Sequence, residues 1–322
     1  IYMGDWSSDV CSSDLSRTPL YTALALVAFA ANSLLCRLAL SSGVIDPTSF
    51  SGVRLLAGAV TLGVLVRVSA KSRAPVAPSW TSAALLFLYA LPFSFAYLSL
   101  STGTGALLLF GAVQVTMILA ALRSSERPRP AQWLGLISAF GGLAYLVFPG
   151  VTAPAPAGAG LMLLAGVAWG LYTLRGRGVQ NPLAQTASNF ARTVPMILAV
   201  TLFAHRSLHL QPRGVLLAVL SGALASGVGY VLWYQALAGL SKVSASLVQL
   251  AVPILAAAGG IAFLGEQVSL RFLLASLLVL GGIGLGLVAG TRRQTAPPTN
   301  HSPTTLIDRK STRLNSSHPY RS

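Results

Sequence analysis

The sequence predicts an all-α integral membrane protein, with ten transmembrane helices arranged as two inverted five-helix repeats. Three observations predict it. Only 9% of the 322 residues are charged and 54% are hydrophobic, with a mean hydropathy of +0.69. Soluble domains carry roughly 25% charged residues, so this chain lacks the groups to coat a water-facing globule. Apolar stretches near the roughly 20 residues that cross a bilayer recur from residue 19 to 290. The chain also repeats itself, without gaps, at a constant shift of 140 residues.

The first half is expected to span at 19–40, 48–68, 80–99, 102–122 and 130–149. Arg67, Lys71 and Arg73 close its second span, and Arg123, Arg127 and Arg129 separate the fourth from the fifth. The Pro- and Gly-bearing turn FPGVTAPAPAGAG, Phe148 to Gly160, then parts the halves, with 151–156 as the linker. The second half is expected at 157–174, 183–204, 214–238, 243–264 and 268–290. Arg175 and Arg177 end its first span, Arg206 and Arg213 flank the next loop, and Arg292 and Arg293 close the last. With the N-terminus placed in the cytoplasm, 12 loop cations fall inside and 4 outside. The positive-inside bias therefore predicts both termini in the cytoplasm of an inner-membrane protein.

Both ends look foreign to such a chain. Residues 1–15 are expected to be a non-native leader, and about 308–322 of the cytoplasmic tail 291–322 to be non-native as well. The net charge of +15 points to loop cations rather than to nucleic acid, since most basic residues lie between spans. Setting the leader aside leaves Cys36 as the one cysteine, which supports neither a disulfide nor a metal site. No cofactor is implied.

The shift of 140 sets AVTL at Ala59–Leu62 on AVTL at Ala199–Leu202, Glu126 on Glu266, and Gly141 and Gly142 on Gly281 and Gly282. Each copy, 16–150 and 157–290, holds five spans. An odd number sends the second copy into the membrane from the opposite face, the arrangement of inverted-repeat carriers.

Two segments, Ala106–Arg127 and Ser246–Glu266, carry a further likeness. With the repeat and the "P…GE" ending of the ninth span, they resemble the drug/metabolite transporter superfamily, EamA type, over roughly residues 17–292. The resemblance implies transport of small metabolites, commonly export. One departure stands out: the first copy has Val113 where the second has Pro253.

Several residues are expected to line a central cavity. Pro253 removes a helical donor and frees the Gln249 carbonyl, which in lipid must face protein or water; a packing kink is the alternative. Arg192 lies about 14 Å into span seven with no Asp or Glu in any span, and shares a face with Asn189. It is expected to meet an anionic substrate group or backbone carbonyls. Arg54, nearer its span's end, is expected to snorkel outward. Asn32 with Phe29, and Tyr172 with Trp169, are repeat mates deep in their spans, and Gln114 is a further amide in span four. Tyr230, Trp233, Tyr234 and Gln235 read first as an interfacial belt. Glu126 and Glu266 are expected to anchor or gate at span ends, Glu266 beside Arg271. The Gly282, Gly286, Gly290 series predicts close contact within its half, with a homodimer face as the alternative.

The expected function is a secondary transporter moving a small amino-acid-like or other amphiphilic metabolite, with a small-molecule substrate and the lipid bilayer as partners. A non-transporting scaffold or lipid-binding protein is the alternative. An embedded enzyme fits less well, since HExxH, GxSxG and paired carboxylates are absent. With no acidic residue or histidine in a span, transport is expected to be uncoupled or to run as exchange.

Overall fold

The computed structural model describes residues 8–69, 76–122, 130–148, 150, 153–176, 179, 181–238, 240 and 248–291. Among them the secondary structure is helical, apart from one isolated bridge between Ile45 and Leu210. The helices are α1 (Ser8–Ser41), α2 (Pro47–Val68), α3 (Trp80–Ala96), α4 (Thr102–Leu122), α5 (Pro130–Val147), α6 (Pro156–Arg175) and α7 (Pro182–Phe203). Helix α8 runs as Pro212–Leu220, continues as a π-helix over Ser221–Val228 and resumes over Gly229–Ala238; α9 (Ala251–Leu264) and α10 (Leu270–Thr291) follow. Within the expected leader, residues 1–7 lie outside the described set, as do 151–152 of the linker and 292–322 of the tail. The helix of α1 is already formed at Ser8, ahead of the expected start at 19.

Local chemistry fixes the helix starts. Asp46, Ser79 and Asn181 each accept a hydrogen bond from the backbone N–H three residues on, capping α2, α3 and α7. Pro47 and Pro182 follow two of these caps, where a missing N–H costs nothing. Among the described residues five helices have the length and composition to cross a membrane: α1 over Arg17–Ser41, then α2, α4 over Thr102–Ala120, α6, and α8 over Pro212–Ala236. Shorter apolar stretches occupy α3, α5, α9 and α10.

The halves interleave. Helix α5 lies along α10, α2 along α7 and α4 along α9, so each pairs with its own repeat mate. The other extensive pairs come in matched sets, α3 on α6 as α8 on α1, and α4 on α6 as α9 on α1. Exchanging each helix for its mate five positions on therefore reproduces the pattern, as a duplicated module requires. One expectation changes. Gly282 meets Gly135 and Ser138 of α5, and Gly142 meets Leu278 and Val279 of α10. These glycines close the seam between the halves rather than contacts within one, because α5 and α10 are mates.

Candidate functional site

At the centre a small cavity of about 20 Å³ lies among Phe29 and Asn32 of α1, Tyr89 and Phe93 of α3, Trp169 of α6, and Ser226 and Tyr230 of α8. That is room for about one water. Its walls are aromatic. Trp169 stands 4.8 Å from Tyr89 and 5.2 Å from Tyr230, ring centre to ring centre, and Phe29 meets Tyr230 edge-on at 6.0 Å. A polar chain crosses one wall. The Ser221 hydroxyl donates to Asn32 Oδ1 at 2.7 Å, and Asn32 Nδ2 donates to Tyr89 Oη at 3.2 Å. The Ser221–Asn32 bond joins α8 of one half to α1 of the other, and the Asn32–Tyr89 bond carries the link on to α3.

Arg54 ends the chain. Its Nη2 donates to Tyr89 Oη at 3.0 Å, and its guanidinium carbon lies 5.0 Å from the Phe93 ring centre and 5.3 Å from that of Tyr89. Only 2% of the residue is exposed. Nε and Nη1, which carry three of the five guanidinium N–H bonds, have no hydrogen-bond partner among the described residues. Among the described residues no carboxylate lies within ion-pair reach of it. The expected snorkelling does not occur, because Arg54 faces α3 and α8 rather than the helix end. Helix α8 comes close enough that a methyl group added at Gly222 would overlap the Arg54 carbonyl oxygen. The π-turns that begin at Ser221 sit at this contact, a common setting for a functional site.

Arg192 is placed otherwise. Its Nη1 donates to the carbonyl and hydroxyl of Ser188 on its own helix, and its guanidinium lies 5.8 Å from the Trp80 ring centre. Trp80 is 57% exposed at the start of α3, so Arg192 sits outside the central cavity. Pro253 is buried just past an interruption of the helical run: Val248 and Gln249 are helical, Leu250 is a turn, and α9 resumes at Ala251. Gln249 is half-buried. Asn32 and Trp169 line the cavity, Gln114 is buried in α4, and Glu126 lies outside the described residues.

Tyr172 and Asn189 build a second site. Asn189 Nδ2 donates to Tyr172 Oη at 3.2 Å, and Gln185 Nε2 donates to Asn189 Oδ1 at 3.3 Å. With Ser82, Arg175, Thr186 and Tyr234 they line a vestibule of about 180 Å³ at the face bearing the α6–α7 loop. Tyr172 stacks on Trp169 at 5.4 Å, so the two rings form the partition between vestibule and central cavity.

The opposite face is latched. Gly265, at φ +64°, ends α9 in the left-handed conformation that suits glycine, and the next N–H returns to the Gly260 carbonyl. That turn directs Glu266 to the α4 start, where it accepts from Thr102 N at 2.8 Å and Thr102 Oγ1 at 3.1 Å. Arg37 Nε pairs with it at 3.4 Å. Its cation is thus Arg37 of α1 rather than Arg271, which donates to the Phe148 carbonyl and lies over Tyr145. A second latch joins the α1–α2 and α7–α8 loops. Asp46 accepts from His209 N at 2.8 Å, and Gln211 N donates to the Val44 carbonyl at 2.9 Å. Burial works against ionisation of Asp46, but hydrogen bonds from Ser49, His209 and Thr48 outweigh it and hold the carboxyl below its ordinary value. A cleft of about 210 Å³ beside Glu266 opens at this face and shares no lining residue with the central cavity.

Known proteins fall into place against this geometry. The description "EamA-like transporter family" matches residues 156–288, which is α6 through most of α10. The "Uncharacterized protein PA1977" of Pseudomonas aeruginosa is 51% identical over 269 residues, covering 84% of this chain and 94% of its own. The chain belongs to the EamA-like transporter family. The "Uncharacterized transporter YwfM" of Bacillus subtilis is 25% identical over 268 residues, 79% of this chain and 88% of its own. A solved crystal structure, described only as that of a protein, covers 82% of this chain and 98% of its own at a TM-score of 0.57 and 19% identity. That likeness speaks to the fold alone.

Sequence reasoning passes over three residues that build the site of this EamA-family chain, Tyr89, Phe93 and Ser221, and turns a fourth, Arg54, outward. It also assigns Tyr230 to an interfacial belt, although the residue is buried at the cavity. A signal existed for Arg54. Ser51, one turn earlier on α2, bonds the Ser94 hydroxyl of α3 at 2.8 Å, so a polar face one turn long marks that side as inward.

Proposed function

We propose that this chain is an alternating-access carrier of the cytoplasmic membrane that exports a small amphiphile, such as an amino-acid-like metabolite, with both termini in the cytoplasm. One observation carries the reading. A polar, aromatic enclosure built by helices of both halves lies between a latched face and a face with an open vestibule. The latched face is taken as the outer one, consistent with the loop cations. Substrate enters from the cytoplasmic vestibule, passes the Trp169–Tyr172 partition and is held at Asn32 and Tyr89. Release outward requires the Glu266 and Asp46 latches to part, since each ties one half to the other. The near-equivalence of the halves supports this exchange, because swapping their conformations yields the opposite-facing state at similar energy.

The test is transport by the full chain in proteoliposomes against a panel of labelled amino acids and amphiphiles. Wild type should move at least one compound above empty vesicles, and Trp169→Ala should lower that rate at least tenfold while the protein stays folded. A panel that wild type leaves untouched removes the carrier reading.

A further inference from the structure

We infer that the carried substrate bears a carboxylate and that Arg54 is its counter-charge at the central site. This rests on the carrier reading and gives it a substrate class. Every other arginine whose contacts are described has acceptors. Arg37 donates to the Tyr97 and Leu98 carbonyls and pairs with Glu266; Arg192 donates to Ser188, Arg271 to the Phe148 carbonyl, and Arg175 to the Ser82 hydroxyl. Arg54 is more deeply buried, yet it makes one hydrogen bond, to a phenol oxygen, and leaves Nε and Nη1 open. A cation inside a membrane protein is costly and is normally paired with an anion or with carbonyls. Here no pairing group is found among the described residues.

The surroundings hold that charge next to the cavity rather than neutralise it. The rings of Tyr89 and Phe93, both cavity-lining, lie against the guanidinium. Tyr89 Oη accepts from Arg54 and from Asn32, so both lone pairs are used. Its own O–H is left to donate, with no acceptor among the described residues. The cavity wall therefore presents an O–H donor backed by a full positive charge, the complement of a carboxylate oxygen. Phe29, Trp169 and Tyr230 supply apolar sides for the body of such a molecule. The same charge repels cationic amphiphiles.

The experiment uses the full chain in proteoliposomes and labelled L-phenylalanine, L-leucine and 3-phenylpropionate, each compared with its amide. Wild type should move the acids at least tenfold faster than the amides, and Arg54→Gln should bring that ratio near one. A ratio near one in wild type, or the same ratio in Arg54→Gln, overturns the inference while leaving the carrier standing. Failure of wild type to move any of the six compounds or any other panel member removes the carrier reading instead. Should Arg54→Gln lose its monodisperse elution, Arg54→Lys takes its place. It keeps the charge without the planar fork, and should keep the acid preference at a rate reduced several-fold. A folded Lys variant without the preference, or with an unchanged rate, overturns the inference.

Discussion

Arg54 and Arg192 interrupt the interiors of mated helices, α2 and α7, yet their surroundings are opposite. At the repeat shift of 140, Arg192 falls on Gly52, two residues before Arg54. Two residues turn an α-helix by about 200°, so arginines at nearly equivalent depth leave their helices on opposite sides. Arg54 points into the packed interior and is 2% exposed; Arg192 points to the edge, over an exposed Trp80. Depth within a span therefore says little about whether a cation is functional. The face it occupies, and whether its own helix can satisfy it, decide that. Arg192 is bonded within one turn by Ser188, whereas the serine one turn before Arg54, Ser51, bonds the Pro47 carbonyl and the Ser94 hydroxyl instead.

The contrast can be sharpened by removing the rings beneath the two cations. Phe93 is fully buried, so Phe93→Ala should cost about 4 kcal/mol in thermal unfolding in detergent. Trp80→Ala, at an exposed ring, should cost under about 1 kcal/mol. Equal costs would break the comparison. Next in size is the contact that pins α8 against α2. Gly222→Val should destabilise by about 3 kcal/mol, since backbone is what it strikes. Gly281→Val, with nothing within 4 Å of the added group, should change stability by less than about 0.5 kcal/mol.

Arg37 is an intermediate case, part-buried but paired. Glu266→Gln leaves it the Tyr97 and Leu98 carbonyls, so the loss should be about 1–2 kcal/mol. The readout is the same unfolding transition. Arg192→Ala should fall within about 1 kcal/mol of wild type and leave transport unchanged. A collapse of transport in that variant would restore Arg192 to the site. The smallest effect belongs to Asp46, the cap of the helix that carries Arg54. Its carboxyl is held below the ordinary value, so its contribution is complete above that value and is lost as pH falls through the lower, folded one. The acid limb of the unfolding temperature should flatten in Asp46→Asn.

The broad architecture was legible before any coordinates. Hydropathy placed ten segments, and the caps at Asp46, Ser79 and Asn181 start their helices by local hydrogen bonds that need no tertiary partner. Asn32 and Trp169, singled out as buried polar and aromatic groups deep in their spans, line the cavity together. Glu266 shows where local reading fails. Its sequence neighbour Arg271 is near, but the left-handed turn at Gly265 carries the carboxylate to Arg37, 229 residues away in the chain.

The sequence by itself determined the membrane class, the internal repeat at a shift of 140 and the starts of α2, α3 and α7. Each depends on composition, periodicity or hydrogen bonds within a few residues. Tertiary structure alone decided which arginine lies inside, how α8 closes on α2, and which cation answers Glu266. In a chain that is apolar on nearly every face, the inward side of a helix is set by what packs against it, and that is a property of two helices rather than of one.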